Sequence, residues 1–388
     1  MTGTTSTATA GTREQARHRR ERLAALLAGR GLDALIVDSP AAVAYLSDVD
    51  IRSFARHGTA IVLREDGGIV FVASDADAIS LDAAGYDGER ALWTQGSEKT
   101  AFAGTLSSAV RRSTGGVRVG VERPEIVPAG SFGLFGLSYP PGTIVPAGDV
   151  VADAMRIKDD DEIDRLRAAA VLAEIAYTAT VDRMHAELRA YEIVRNVDRS
   201  VRGAGGAGWW SLSERGDTQE TVHFPHDAVV GLLDRRPETG VLDRSATLPF
   251  QVHPLSQCYT GGAGTTIVLQ EPSAQVRRRA ERLSRGIQSA LDAIAPGVPG
   301  DAVHRAFTTA SEGEGTLVGF SVGTGPGETL VAADAGEELQ QRMALTLRAF
   351  APGDAGAPGV FFQSTVLVTD AGAERLDAVV PLRLIELY

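Results

Sequence analysis

Thr221-Val222-His223-Phe224-Pro225-His226 is followed, after a polar break, by Ala246-Thr247-Leu248-Pro249-Phe250-Gln251-Val252, then by Cys258-Tyr259-Thr260 and Thr265-Thr266-Ile267-Val268-Leu269. Short runs of β-branched and aromatic residues, interrupted by Gly and Pro, predict paired strands that form a rigid floor. Two of the seven histidines, His223 and His226, flank Pro225. Proline fixes φ and suppresses helix, so the backbone there is expected to be extended or turning, and both rings could face one cavity. Histidine is the usual acid–base group on such a floor. Two loop histidines that only satisfy hydrogen bonds fit the stretch equally well.

Outward from this centre, the chain divides into three parts: a Thr-, Ala- and Gly-rich tail expected to be disordered (1–12), an N-terminal domain (13–150) and a C-terminal domain (151–388). In the N-terminal domain, Leu23, Leu26 and Leu27 recur at helical spacing. Leu32 to Val37 reads as a buried strand, and Ala60–Leu63 and Ile69–Ala73 flank the hairpin signal Asp66-Gly67-Gly68. Helices alternating with strands give an α/β domain. After Arg156-Ile157-Lys158 comes the acidic run Asp159 to Glu162, which suits a helix start, and helices are expected over Glu162–Met184 and Ala190–Val201. A helix over Glu271–Ala295, a shorter one from Asp301 and a β-rich remainder complete an α+β domain, with helices packed over a curved, mostly antiparallel sheet.

Composition narrows the function. The chain has 388 residues, 44% of them hydrophobic and 23% charged. A net charge of -12 argues against nucleic acid or an anionic membrane as the main partner. No apolar run approaches the ~20 residues of a membrane span, and the start lacks the basic-then-apolar pattern of a secretory signal, so a cytoplasmic protein is expected. Cys258 is the only cysteine, which excludes an intrachain disulfide and a cysteine-cluster metal site; it reads as a packed thiol or, less naturally, a nucleophile.

Several patterns together resemble the creatinase and aminopeptidase P family, the pita-bread fold. Gly31-Leu32-Asp33-Ala34-Leu35-Ile36-Val37 with Ser39-Pro40 and Tyr45-Leu46 resembles the opening of its N-terminal domain, and Arg156-Ile157-Lys158 its domain junction. Phe224-Pro225-His226 resembles the family's Leu-Pro-His. Pro296-Gly297-Val298 with Val303-His304 resembles its helix-closing motif, and Thr365-Val366-Leu367-Val368-Thr369 with Gly372 its last strand.

The resemblance implies a site and, at once, a departure from it. Metallopeptidase members hold two metal ions with two aspartates, one histidine and two glutamates. Matched to those motifs, the aspartate positions are Gln251 and Gly262, the histidine position is Phe320, and the glutamate positions are Arg348 and Gln363. A phenyl group, a hydrogen and a guanidinium cannot ligate such a cation. The expectation is therefore an enzyme without metal or other cofactor, as creatinase is.

By the same resemblance His226 corresponds to creatinase's acid–base histidine, and Phe54 and Arg56 to a loop that holds the substrate carboxylate in the partner subunit, implying a homodimer with a shared site. The expected function is hydrolysis or elimination at a C–N or C–O bond of a small carboxylated metabolite, with no metal. His226 and His223 are the candidate proton carriers, and Arg56, Phe54, Gln251, His253, Tyr259, Phe320, Glu328, Arg348, Gln363 and Trp210 the candidate substrate-binding residues. His253 shares a strand face with Gln251, although Pro254 is a residue that ends strands. Structural alternatives stand beside these roles: Arg348 neutralising a buried acid, and Gln251 and Gln363 bonding each other across strands. A different class also fits, a pseudo-peptidase that binds peptides or partner proteins.

Overall fold

Alternating runs of apolar and polar residues in the first part of the chain fold into a sheet covered on both faces. The computed structural model describes residues 10–49, 51, 58–94, 98–113, 118–123, 142–185, 190–212, 224–225, 247–324, 326–353 and 358–388. By internal contacts the chain splits into Met1–Arg156 and Ile157–Tyr388. The division falls after Arg156 rather than at Val150 because the helix Gly148–Arg156 sends Val150, Val151 and Ala154 into the first unit's core.

In the first unit, strands β1 (Ala34–Val37), β2 (Ala60–Arg64), β3 (Ile69–Ser74), β4 (Glu89–Trp93), β5 (Val119–Val121) and β6 (Ile144–Pro146) form a mixed sheet in the order β4-β3-β2-β1-β5-β6. Alternation along β1 sends Leu35 and Val37 to one face, with Leu23 and Leu27 of helix α1 (Ala10–Gly29), and Ala34 and Ile36 to the other, with Phe102 and Leu106 of the helix Glu98–Ser113. Helix α1 begins at Ala10, so the last residues assigned to the tail are helical. At the β2–β3 turn Gly67 takes a φ of +79°, and Gly68 N–H bonds the Asp66 carboxylate, the chemistry its sequence signalled.

The second unit opens with a helix (Asp160–Val181) fixed by a reciprocal capping box: Asp159 accepts from Glu162 N–H and Glu162 accepts from Asp159 N–H. Among the described residues eleven strands form its sheet, whose main path runs β13-β12-β14-β15-β11-β9-β7-β8. The strands are β7 (Ala207–Leu212), β8 (Phe224–Pro225), β9 (Thr247–Ser256), β10 (Tyr259–Thr260), β11 (Ala263–Val268), β12 (Thr316–Val322), β13 (Pro326–Val331), β14 (Ala344–Ala351), β15 (Val360–Thr369), β16 (Gly372–Arg375) and β17 (Ile385–Glu386). Pairing is antiparallel except for β11 with β17. One face carries Leu345, Leu347, Phe362 and Val366 against the helices Ala274–Ala293 and Gly300–Ala310; Phe250, Val252 and Ile267 extend it against the helices Asp160–Val181 and Ala190–Gly203. The α/β and pita-bread architectures are thus those the sequence implies. No helix among the described residues is long and apolar enough to cross a membrane.

Strand β9 does not stop at Pro254. It passes through Pro249 and Pro254 to Ser256, and each proline stands where, among the described residues, only one neighbouring strand lies alongside: Pro249 opposite Thr266 of β11, Pro254 opposite Gly208 of β7. A missing N–H is tolerated where one edge of the strand is unpaired. The turn to β10 uses Gln257 and Cys258 with φ of 46° and 73°, the twist of a two-residue primed hairpin without its usual Asn-Gly.

Candidate functional site

The helix-covered face takes one set of alternating side chains, so the other set lines the opposite face. Direct cross-strand pairs point the same way, and the register stacks Arg348 of β14 against Gln363 of β15 and brings Gly264 of β11 opposite both Gln363 and Gln251 of β9. Gln251 and His253 of β9 and Gln363 of β15 therefore meet around Arg348. Its Nε donates to Gln363 Oε1 at 2.7 Å and its Nη2 to Gln251 Oε1 at 3.0 Å; Nη2 also lies 3.3 Å from His253 Nε2. Gln363 Nε2 approaches the same imidazole nitrogen at 3.1 Å. Gln363 is 0% exposed, Gln251 5% and His253 8%.

The electrostatics are unusual. Burial pushes the Arg348 guanidinium below its ordinary pKa, yet a guanidinium stays protonated in proteins. Among the described residues no carboxylate pairs with it, so it does not neutralise a buried acid, and Gln251 and Gln363 both turn their oxygens to it rather than bonding each other. A half-buried cation whose acceptors among the described residues are all neutral leaves a net positive field on this floor, and the Nη1 edge forms no hydrogen bond among the described residues.

Beside the network, Thr365 Oγ1 accepts from Gly262 N–H at 2.7 Å, donates to Gly262 C=O at 2.8 Å and lies 3.2 Å from Thr346 Oγ1. This clamp ties β15 to the chain entering β11, and sequence reading missed it. Threonines in a strand are ordinary, and only the register shows which backbone Thr365 faces.

Several expected site residues lie elsewhere or differ in role. The Tyr259 hydroxyl is 3.2 Å from Glu162 Oε1 and its fully buried ring packs with Ile163 and Leu166, with the Arg165 guanidinium 5.4 Å from its centroid, so it is a core residue rather than a substrate donor. Phe320 stands opposite Thr346 on the Arg348 face of β12, a half-buried apolar wall. Glu328 is on β13, separated from β14 by β12. In the β7–β9 register Trp209 is opposite His253 and Trp210 opposite Val252. His223, His226, Phe54 and Arg56 lie outside the described residues; between the histidines, Phe224 and Pro225 are extended and pair with Trp210 and Trp209.

As a cation site this floor does not fit. Both amide oxygens already accept from a guanidinium, the imidazole nitrogen faces two N–H groups, and a divalent ion at this place would meet a positive charge. Among the described residues no three His, Cys, Asp or Glu gather where they could hold a metal ion.

Comparison with known proteins sets these residues in a family. Residues 19–156 match the creatinase/prolidase N-terminal domain and residues 164–370 metallopeptidase family M24. A prolidase from Thermococcus sibiricus is 16% identical, with 96% of this chain and 99% of that chain covered and a TM-score of 0.78. Dipeptidase PepE from Mycobacterium ulcerans is 19% identical, with coverage of 96% and 98% and a TM-score of 0.74. The N-terminal domain of FACT complex subunit SPT16 from chickpea, Cicer arietinum, is 12% identical, with coverage of 96% and 99% and a TM-score of 0.71. At these identities the likeness is one of fold. Among curated proteins none is significantly similar to the chain in sequence. The two matched segments together span both compact units, and the chain belongs to metallopeptidase family M24, with a creatinase/prolidase N-terminal domain preceding the peptidase domain.

Proposed function

We propose that this M24 member is an enzyme that works without metal, using His226 for proton transfer to hydrolyse or eliminate at a C–N or C–O bond of a small carboxylated molecule. The observation that supports it is the Arg348–Gln363–Gln251–His253 network, which puts a permanent cation and neutral hydrogen-bonding groups where metallopeptidase members gather carboxylates. A guanidinium with no anion partner among the described residues is complementary to a carboxylate or to a developing oxyanion. In hydrolysis, His226 takes a proton from water as its oxygen bonds carbon, then returns that proton to the leaving nitrogen or oxygen. Such positioned acid–base catalysis contributes about 10² to 10⁴ in rate.

The proposal extends to a homodimer in which Phe54 and Arg56 reach the partner subunit's pocket. The fold alone does not require catalysis, since it also forms a domain of a FACT complex subunit, and a binding-only role is the competing reading. One experiment decides. Small carboxylated amides and amines are screened for turnover in chelator, with elemental analysis of the same sample, and His226→Asn is compared with the parent. Turnover with no stoichiometric Mn, Co or Zn and a loss of at least about a hundredfold in His226→Asn is expected. Arg56→Ala chains mixed with His226→Asn chains should regain part of the activity. A tightly bound transition metal, or a His226→Asn protein as fast as the parent, rejects the proposal.

A further inference from the structure

The orientation of Gln363 is fixed by chemistry. Arg348 Nε can only donate, so the Gln363 atom 2.7 Å away is the amide oxygen, and the amide nitrogen is the atom turned to His253. His253 Nε2 then faces two groups that can only donate, the Gln363 amide and Arg348 Nη2. An imidazole nitrogen so placed serves as an acceptor, which assigns the ring proton to Nδ1.

On its other side the ring runs against Gly262. A Cβ built on Gly262 would lie 2.5 Å from His253 Cε1 and 2.7 Å from Nδ1, and closer still to Gln363 Nε2. Real Cβ atoms do not sit so near other atoms, and neither neighbour can swing aside cheaply: both side chains are buried and hold the guanidinium. The Gly262 backbone cannot retreat either, because Thr365 binds both its N–H and its C=O.

We infer that His253 is a positioning residue: as an Nδ1–H imidazole it accepts from Arg348 and Gln363 at Nε2 and so aims the guanidinium, and the absence of a side chain at Gly262 is what makes room for this lock. His253 is then neither a proton carrier nor a direct substrate ligand. With Nε given to Gln363 and Nη2 to Gln251 and His253, Nη1 is the edge of Arg348 left for a bound carboxylate. The effect on turnover rests on the function proposed above, whereas the tautomer and the packing do not.

Nitrogen NMR of ¹⁵N-histidine-labelled intact protein reads the tautomer directly, with the His253 signals identified by their loss in His253→Gln. A non-protonated Nε2 and a protonated Nδ1 are expected. A protonated Nε2 overturns the inference, whatever the enzyme does. The packing is read by a melting-temperature cycle. Gly262→Ala should lower Tm by about 5 °C or more in the parent, and by less than half as much in a His253→Ala background, where Gln363 loses its partner and can yield. Equal losses in both backgrounds remove His253 from the lock.

Where a substrate is in hand, His253→Leu should reduce kcat/KM more than tenfold, His253→Gln should recover part of it through its amide oxygen, and the limb of the pH profile should stay in place. A limb lost with His253 makes it a proton carrier and overturns the inference. Failure to find metal-free turnover would reject the function while leaving the tautomer and the Tm cycle to stand or fall separately.

Discussion

The two faces of strand β15 each hold a charged group withdrawn from water, Arg348 partly and Asp377 fully, and they solve the problem in opposite ways. On one face Gln363 holds Arg348, a guanidinium whose hydrogen-bond partners among the described residues are all neutral. On the helix-covered face the next residue, Ser364, donates at 2.6 Å to Asp377 Oδ1; Arg375 Nη2 lies 3.6 Å from that oxygen, and the buried Asp377 Oδ2 has no hydrogen-bond partner among the described residues. A carboxyl group can shed the cost of burial by keeping its proton, and burial pushes Asp377 up to about 7 despite Arg375. A guanidinium has no such escape. The acid can settle its charge within the fold, whereas the base keeps its charge at every physiological pH.

That contrast breaks most readily at Arg348. Arg348→Met should reduce kcat/KM for carboxylated substrates by at least about a hundredfold, the usual scale for removing one member of a desolvated charge pair. Melting temperature should change far less than activity, since no anion among the described residues pairs with the lost charge. A variant with activity near the parent's would make Arg348 a structural residue and erase the difference between the faces.

A smaller effect is expected at the clamp that supports the Arg348 face. Thr365→Val keeps the shape but strips Gly262 N–H and C=O of their partner, and leaving buried polar groups unpaired costs about 1–3 kcal/mol. Tm should fall by about 5 °C. No change would mean that water replaces the hydroxyl and that the floor is wetter than its burial suggests.

The smallest effect sharpens the other side of the comparison. Below the ordinary aspartate value near 3.8 both folded and unfolded chains hold the Asp377 proton; between there and about 7 only the folded chain does. The folded state binds more protons in that window, so this group makes stability fall as pH rises through it. Asp377→Asn should flatten the fall and raise Tm by about 3 °C at pH 8, with little change at pH 4. Chemical denaturation at the two pH values checks it, and a loss of stability at pH 8 would show that the ionised acid is held favourably after all.

Much of the architecture was legible because it rests on local signals. Asp159 and Glu162 announce a helix start, Asp66-Gly67-Gly68 a turn, and Leu32 to Val37 a buried strand. The positions of Gln251, Arg348 and Gln363 were legible through family motifs, but their mutual bonding was not, because it depends on register between strands remote in sequence. Tyr259 was misread for the same reason: nothing near it in the chain shows that its hydroxyl meets Glu162. Pro254 misled because proline's missing N–H matters only where a neighbouring strand asks for it.

The filled space at Gly262 also sets a direction on mutational change. A carboxylate placed there alone enters a volume already taken by His253 and Gln363, beside a guanidinium whose positive charge opposes a metal ion. A side chain at Gly262 therefore loses packing before any ion can compensate. On a landscape explored one residue at a time that step stands behind a ridge, and crossing it takes accompanying changes at His253 and Gln363, on two other strands.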